Sequence, residues 1–447
     1  MRLASAASAM LLLTLWVAAD VPNPASVAFL YTSAKQFQPD AWIQGGERFP
    51  QGAKIFVHDS AGEHPLVPAF AGSADPAVSF DGRRVLFSGK RNPQDAWEIW
   101  EFAFEDQEAH RVVACTEDCV RPLYLPEERL AYAHRSHGRF VIEAASANGP
   151  ERLPITYSPG GALPLDVLHD GRILFEAVHP LGEGTVTELY TIYSDGSGVE
   201  AYRCDHGASR HAGRQMASGD IVLVSGRQLA RFTSPLAHAV KTSAPAGEYA
   251  GDVLELQDGA WLLPWRPDLR RPYQLVRWVP GSSKLSPVLP NSGNESIEPA
   301  LLAARPVPNR HPSGLHDWSY ANLLCLNAYT GKFKMTPSSL ASVRLYTQDA
   351  LGHPKLLGEA PVEEDGSFYV RTPADQPLQI ELRDRAGKIA QKETGWFWLR
   401  RGEQRICVGC HTGPETAPEN AVPRILLRST IPADLTGASV QSASGGH

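Results

Sequence analysis

The sequence predicts an all-β protein: a six-bladed β-propeller, followed by a small β-sandwich-like domain and a short C-terminal segment. Two observations predict this architecture, a turn-and-strand pattern that recurs every 40 to 48 residues and a change of pattern after a proline-rich stretch near residue 305. The composition agrees, because 38 Gly and 36 Pro among 447 residues are typical of a turn-rich chain. A net charge of −7 argues against a protein that binds nucleic acid through a basic surface.

The first residues have the parts of a secretory signal peptide. Arg2 supplies a positive charge, an apolar run reaches Val17, and small residues stand at Val17 and Ala19. The alternative is a membrane anchor, but the apolar run is shorter than the ~20 residues that span a bilayer. We therefore expect residues 1–19 to be removed and the mature chain to begin at Asp20, in the periplasm or otherwise secreted. No later segment is expected to cross a membrane.

The repeated pattern fills the first two thirds of the chain. Each copy has a small turn, often Asp-Gly, followed by a polar residue and an apolar strand. Asp-Gly between apolar runs predicts a hairpin, because the tight turn needs the positive φ that Gly adopts without strain. The equivalent strand residues, spaced 45, 43, 48 and 40 residues apart, are Val85, Leu130, Ile173, Ile221 and Trp261.

A second pair of short strands follows most hairpins, and four strands in each period of roughly 40–50 residues indicate propeller blades. Five blades are visible in this way. A sixth is assembled from residues 27–31 and 54–57 and closed by residues 299–303, which would cover the open sheet edges. A β-sandwich with accidental hairpin repeats is one alternative, and seven blades is another. The Asp-Gly-Arg-apolar repeats resemble those of TolB-like periplasmic propellers.

Residues 305–312 form a Pro-rich connector, so we place the propeller at residues 20–310. Beyond it, residues 311–400 contain short strands separated by turns, and they are predicted to form the β-sandwich-like domain. The aromatic run at residues 396–399 is its last predicted strand. Residues 401–447 form an attachment segment and a short tail.

The chain has six cysteines, four of which precede the C-terminal segment. Cys115 and Cys119 are close enough to close a small local loop, and we expect a disulfide between them outside the cytoplasm. A Cys204–Cys325 bond is possible. Free buried thiols are the alternative, since four cysteines allow three pairings that sequence cannot distinguish.

Cys407, Cys410 and His411 form a Cys-x-x-Cys-His sequence, the attachment signature of a c-type haem. Each thiol can form a thioether with one vinyl group of the haem, and the adjacent imidazole can bind the iron. A redox dithiol would favour a thioredoxin-like βαβ setting, and a zinc site needs four ligands, for which no second Cys pair is suitably spaced. We therefore expect one covalent haem c, with His411 as an axial ligand of the iron.

The wider context of this motif carries a family resemblance. Residues 358–368, the Trp-Phe-Trp run at 396–398, the haem motif and the Ala-Pro-Glu-Asn run at 417–420 resemble the middle domain of the hydrazine synthase alpha subunit family. That family joins a six-bladed propeller to a haem-bearing middle domain, so the resemblance covers nearly the whole mature chain. It implies a haem enzyme that acts on small nitrogen compounds.

Two departures from the family pattern stand out. The synthase subunit has a further domain with a second haem, whereas no second Cys-x-x-Cys-His occurs in this sequence. In the family's active haem, a tyrosine shortly after the motif binds the iron and the motif histidine binds a metal ion. Here Glu415 stands where that tyrosine is expected, and no Tyr follows His411. The synthase's ligation is therefore not expected in this segment.

The second axial ligand decides whether a haem carries electrons or binds small molecules. No Met follows His411, which excludes a methionine ligand from the tail. Among the histidines we single out His311 and His316, because the connector is expected to run near the domain interface. Arg401 and Arg405 could pair with haem propionates, although exposed charges beside a turn are the simpler interpretation.

The main hypothesis is an exported monohaem c-type protein that transfers electrons, or performs redox chemistry on a small molecule, within a periplasmic assembly. One alternative is a hydrazine-synthase-alpha-like haem enzyme that acts on small nitrogen compounds. Another is a propeller that binds a protein, with a structural haem or none. We expect a redox partner protein, allow for a small-molecule ligand, and expect no nucleic acid.

Overall fold

The computed structural model describes residues 27–437, except 148, 150, 182–183, 204–208, 236–239, 332–334, 350–351, 394 and 410–419. The predicted signal peptide, residues 1–19, and Cys204 lie outside the described residues. Nearly every regular element in the described part is a β-strand, so the all-β prediction is confirmed. No described helix has the length and apolar character that crossing a membrane requires.

Within the described residues, positions 29–301 form six consecutive antiparallel sheets. The first three contain β1 (Phe29–Ala34), β2 (Ala53–Asp59) and β3 (Gly62–Pro65); β4 (Gly72–Val78), β5 (Arg84–Lys90), β6 (Glu98–Ala103) and β7 (Glu108–Val113); and β8 (Cys119–Leu125), β9 (Arg129–Ser136), β10 (Arg139–Ser146) and β11 (Arg152–Pro154). The next two contain β12 (Ala162–Val167), β13 (Ile173–Leu181), β14 (Gly184–Ile192) and β15 (Glu200–Ala201); and β16 (Arg210–Gln215), β17 (Ile221–Ser225), β18 (Gln228–Phe232) and β19 (Val240–Lys241). The sixth contains β20 (Glu248–Tyr249), β21 (Leu254–Glu255), β22 (Trp261–Arg266), β23 (Gln274–Trp278) and β24 (Leu285–Pro287).

The first sheet is completed by a strand from the far end of this region. β25 (Glu295–Leu301) pairs antiparallel with β1, with Phe29 opposite Leu301 and Thr32 opposite Ile297. The sequence predicts this pairing of the two ends, and it is present. The Asp-Gly turns also fall where they are expected, because the five equivalent residues stand at the starts of β5, β9, β13, β17 and β22.

One end strand of each sheet, here called the inner strand, is interrupted in its pairing. The inner strands are β25, β4, β8, β12, β16 and the split pair β20 and β21, and five of them show register shifts typical of β-bulges. Left-handed backbone with φ of 49° to 57° occurs in these interruptions at Asp75, Arg121, Ala212, Asp252 and Glu298. Such a conformation costs a non-glycine residue about 1–3 kcal/mol, which makes these positions candidates for a functional role.

Residues 320–434 form two further four-stranded sheets. In chain order the elements are β26 (Tyr320–Cys325), β27 (Leu340–Gln348), β28 (Pro354–Pro361), β29 (Phe368–Pro373), β30 (Gln379–Asp384), β31 (Ile389–Lys392), β32 (Gln404–Cys407), α1 (Arg424–Arg428) and β33 (Ala433–Asp434). One sheet has the order β32-β26-β29-β33 and the other β28-β27-β30-β31. They share one core, in which Leu323 and Val370 of the first sheet join Val343 and Leu382 of the second.

The aromatic run at residues 396–399 is not the strand that the sequence predicts. Phe397 forms only a single bridge, to Leu378, and the next residue packs against the six-sheet region instead. Trp398 is 1% exposed, lies against Tyr157 and Phe175, and donates its indole N–H to the carbonyl oxygen of Ile155 at 3.1 Å. Burial of this side chain between the two modules takes the place of strand pairing.

Hydrogen bonds of charged side chains extend the contact between the modules. Arg400 donates from Nε to the carbonyl oxygen of Asp195 at 3.1 Å and from Nη1 to that of Pro154 at 3.2 Å. Arg405 donates to the carbonyl oxygen of Val199 at 2.9 Å. The two modules are therefore held together by a buried tryptophan and by guanidinium groups that bond to backbone oxygens of the first module.

Candidate functional site

The predicted haem attachment segment begins at the end of a paired strand. β32 runs parallel to β26, and Cys407 lies opposite Cys325 in that register. The N–H of Leu326 donates to the carbonyl oxygen of Cys407 at 2.9 Å, and Cys407 is half-buried against the core that the two sheets share. Cys410 and His411 lie outside the described residues. The first thiol of the motif is thus held at one end of a sheet, because Cys407 is the last residue of β32.

The chain returns to the same end of that sheet after the motif. Arg424 donates its backbone N–H to Asp365 at 2.7 Å, and Ile425 donates to the hydroxyl of Ser367 at 3.0 Å. Ser367 immediately precedes β29, whose first residue, Phe368, lies opposite Cys325. Both ends of the segment 408–423 are therefore anchored at the end of the sheet that carries Cys407.

Large apolar side chains flank this segment on both sides and are exposed. Ile406 is 61% exposed just before the motif, and Val422, Leu427 and Ile431 are 63%, 73% and 76% exposed after it. A bound haem needs apolar side chains over its macrocycle, and exposed residues of this kind could supply them. Together with the half-buried thiol of Cys407 at the start of the motif, they fit a covalently attached haem.

The two histidines proposed from the connector have ring partners of their own. His311 stacks on Tyr193 with ring centroids 3.7 Å apart, and His316 stacks on Trp318 at 4.7 Å. The backbone of His316 lies against Gly402, where it leaves no space for a Cβ atom. His316 thus lies beside the residue pair that precedes β32, the strand that ends at Cys407, whereas His311 lies against Tyr193, which follows β14 of the fourth sheet. Ligation of iron by either one stays a prediction.

The two arginines proposed for haem propionates bond to other groups. Arg405 forms an ion pair with Glu403 at 2.5 Å, in addition to its bond to Val199. Arg401 pairs with Asp375 at 3.1 Å and is well exposed. Arg405 is therefore committed to the contact between the modules, and Arg401 matches the interpretation of a surface charge.

A second candidate site, which the sequence analysis missed, is formed where the inner strands meet. Arg48 donates to Asp75 at 2.7 Å and also bonds to Glu298. The hydroxyl of Thr32 and the backbone N–H of Asp75 donate to Glu298 at 2.7 Å and 3.0 Å. Arg48 lies in the connection between β1 and β2, whereas the other three groups come from strands of the first two sheets. Asp75 and Glu298 are left-handed bulge residues.

The same network continues across the third to sixth sheets. Arg121 donates to Asp252 at 2.9 Å and to the carbonyl oxygen of Pro164 at 3.2 Å. Arg214 donates to the same oxygen of Asp252 from Nη2 at 2.9 Å. One signal in the sequence could have found these positions: Pro follows Asp75, Arg121 and Glu298. Proline lacks the N–H that a central strand needs, so its recurrence indicates bulges.

The charges of this network shift the acidity of its carboxyl groups in opposite directions. Burial alone would raise the pKa of Asp252, but Arg121 and Arg214 outweigh it and hold the pKa well below its ordinary range. Glu298 differs, because burial and the neighbouring Asp75 raise its pKa to about 7 against the opposing effect of Arg48 and Arg121. Glu298 is thus the carboxyl group of this cluster that can exchange a proton near neutral pH.

This shift predicts a pH dependence of stability that a single substitution removes. Between the ordinary pKa of 4.5 and about 7, the folded chain holds a proton on Glu298 that the unfolded chain has lost. The free energy of unfolding should therefore fall as pH rises through this window. Glu298→Gln should flatten that slope, as measured by urea unfolding at several pH values. The exposed variant Glu105→Gln should keep the slope, and an unchanged slope in Glu298→Gln would refute the assignment.

Comparison with known proteins addresses the resemblance predicted from the sequence. Residues 330–412 match the family model of the hydrazine synthase alpha subunit middle domain, and this range contains all three residues of the haem motif. The predicted resemblance is confirmed. A structure of Kuenenia stuttgartiensis hydrazine synthase matches 90% of this chain and 72% of its own, with 16% sequence identity and a TM-score of 0.78. The hydrazine-synthase-alpha-like fold thus extends over both modules.

Other matches are weaker. TolB from Acinetobacter baumannii is similar over 64% of this chain and 68% of its own, with 14% identity and a TM-score of 0.47. None of the curated protein sequences matches. The family model covers only the second module, so the likeness to hydrazine synthase in the six-sheet region is a likeness of fold.

Proposed function

We propose that this chain is an exported haem c protein of the hydrazine synthase alpha type, which acts on small nitrogen compounds as part of a multi-subunit assembly. One observation carries the proposal: the family match to the middle domain runs through Cys407, Cys410 and His411. The fold shared with Kuenenia hydrazine synthase over both modules supports it. This favours the alternative of the sequence analysis over a simple electron carrier.

The six sheets are, in this proposal, the blades of one propeller. Neighbouring inner strands contact one another in sequence from β4 to β16, and β25 contacts both β4 and β21. The pairing of β25 with β1 joins the beginning and the end of the region within one blade. In the proposed ring, the inner edge of each blade would be covered by its neighbours.

The chain's own residues have distinct tasks at the haem segment. Cys407 and Cys410 would attach the haem, and His411 would bind its iron. When bound, the haem would supply an iron that can exchange one electron and accept a small ligand. The parallel pairing of β32 with β26 holds Cys407 in position, and Arg424 and Ile425 are hydrogen-bonded at the same end of the sheet.

An electron carrier is the second candidate, and a specific observation favours it. Glu415 stands where the tyrosine of the family's active haem is expected, so that ligation is missing from this segment. A histidine as second ligand would give a low-spin haem that transfers electrons without binding substrate. The reduced protein should bind CO or NO if the enzyme proposal is correct, and an unreactive low-spin spectrum would favour the carrier.

The attachment chemistry is tested by two matched cysteine variants. Cys407→Ser should reduce covalently bound haem several-fold, because only one thioether remains, whereas Cys325→Ser should keep it at the level of the unmodified chain. Cys325 is a suitable control because it lies opposite Cys407 in the same sheet and faces the same core. Haem retained on a denaturing gel is the measurement. An equal loss in both variants, or none in Cys407→Ser, would contradict attachment at Cys407.

Localisation and partners follow from the same proposal. Haem attachment to two cysteines and a disulfide between Cys115 and Cys119, which the structure contains, both fit an export pathway that begins with residues 1–19. A redox partner protein would approach the exposed apolar residues beside the haem segment. N-terminal sequencing of the secreted protein tests cleavage before Asp20.

A further inference from the structure

The long connection between β1 and β2 covers one end of the inner strands. It comprises residues 35–52, here called the cap, and includes one short 3₁₀ turn, Ala41–Gln44. Trp42 and Phe49 of the cap are 3% and 5% exposed and share an apolar core with residues of three inner strands, β4, β8 and β12. A cavity of about 20 Å³ remains between the cap and the sheets, which is space for one water molecule. The cap is therefore closely packed on the inner strands.

The cap and the connector lie at opposite ends of the inner strands. Trp42 lies against Gly161, where an added Cβ atom would be 3.5 Å from its ring, and Gly161 immediately precedes β12. The connector bonds beyond the other end of β12, because Asn309 donates its N–H to the carbonyl oxygen of His169 at 3.0 Å. Arg48 reaches from the cap into the buried ion-pair network described above. The cap thus covers the network at the end opposite to the connector.

Arg135 of β9 holds the cap by its backbone. The guanidinium of Arg135 donates to the carbonyl oxygens of Gly45 and Gly46, at 3.1 Å and 3.5 Å. Both glycines directly follow the 3₁₀ turn. On its other side, Nε of Arg135 lies 3.4 Å from the carboxylate of Asp118, and these two side chains are only 15% and 18% exposed. Asp118 therefore orients the guanidinium that bonds to the cap.

Asp118 lies in a loop that a disulfide closes. Cys115 and Cys119 are bonded to each other, and Asp118 directly precedes Cys119. The carboxylate of Asp118 also accepts the backbone N–H of Trp97 at 3.1 Å. Cys119 is fully buried at the start of β8, whereas Cys115 is half-buried beside the exposed Thr116, which leaves its sulfur within reach of a small reductant. Because a disulfide limits the conformations of the loop it closes, this bond restrains Asp118.

We propose that this disulfide is a redox-sensitive latch, which keeps the cap closed through Asp118 and Arg135. A dithiol reductant would open the latch by thiol–disulfide exchange. The two thiols of the reductant become a disulfide, and the two electrons and two protons that they lose convert Cys115 and Cys119 to thiols. The loop then gains freedom, Asp118 no longer orients Arg135, and the cap is released. The latch uses no residue of the haem segment, so it is independent of the haem proposal.

Hydrogen–deuterium exchange of the secreted full-length chain, read by mass spectrometry, tests the latch. Amide exchange in the cap should become on the order of 10-fold faster after reduction with dithiothreitol, the scale set by the entropy that a short disulfide loop removes. The double variant Cys115→Ser/Cys119→Ser should show the same increase without reductant. Exchange in residues 303–309 should stay unchanged, because the connector lies at the opposite end of the inner strands.

Arg135→Gln tests the step between the loop and the cap while the disulfide is intact. It should speed exchange in the cap by a similar factor, and reduction should then add little. Arg152→Gln is the matched control, since Arg152 donates to the carbonyl oxygen of Ala114 beside the loop, at 2.9 Å, from the opposite edge strand of the third sheet. It should leave exchange in the cap unchanged. Unchanged exchange in the cap after reduction or in Arg135→Gln, or an equal increase in the cap and the connector, would overturn the proposal.

Discussion

Replacing Trp398 by alanine is expected to destabilise the chain by about 3–5 kcal/mol, the usual cost of removing a buried tryptophan. The side chain is 1% exposed, packs against Tyr157 and Phe175, and donates its indole N–H to Ile155 at 3.1 Å. All three neighbours belong to the first module. The substitution should therefore lower the free energy of unfolding and also weaken the contact between the two modules, so that two separate unfolding transitions appear in urea.

Trp318→Ala is the control for this prediction. Trp318 is 39% exposed and stacks on His316 and Tyr320, all within the residues that lead into the second module. Its loss should cost about 1 kcal/mol, the size of an aromatic pair contact. A small effect of Trp398→Ala, similar to that of Trp318→Ala, would show that the modules do not depend on the buried tryptophan.

Arg48→Met should be similarly damaging, by about 3–5 kcal/mol, because it leaves buried carboxyl groups without their counter-charge. The side chains of Asp75 and Glu298 are only 5% and 4% exposed, and both bond to Arg48. Urea unfolding near neutral pH is the measurement. Arg111→Met removes a surface pair with Glu98 and should cost less than about 1 kcal/mol.

A compensating variant separates charge from shape in this network. In an Arg48→Met background, Asp75→Asn and Glu298→Gln remove the carboxylates that Arg48 would neutralise, and they should restore part of the lost stability. Failure to restore any stability would mean that packing around Arg48, and not its charge, accounts for the loss.

The local patterns of the sequence predicted the strands well. Asp-Gly turns favour hairpins because Gly adopts the positive φ of the turn, and strands such as β5 and β13 start two residues after Gly82 and Gly171. The Cys-x-x-Cys-His motif is equally local. The pairing of β25 with β1 was predictable because an unpaired edge strand would be left without it.

Contacts between distant residues could not be predicted in this way. Arg48 and Glu298 are 250 positions apart, and their encounter depends on bulges in two inner strands. The sequence shows such bulges only indirectly, through Pro76 after Asp75 and Pro299 after Glu298. Trp398 was predicted to lie in a strand, since aromatic residues favour strands, but its partners lie more than 200 positions earlier. The periodic pattern of turns and apolar strands does not indicate which distant residues will be in contact.

The intact mass of the full chain, secreted by a host that matures c-type cytochromes, tests the central claim most directly. The account predicts a mature polypeptide from Asp20 onward that carries the added mass of one haem and keeps it after denaturation. A secreted protein with the mass of the bare polypeptide would contradict the account.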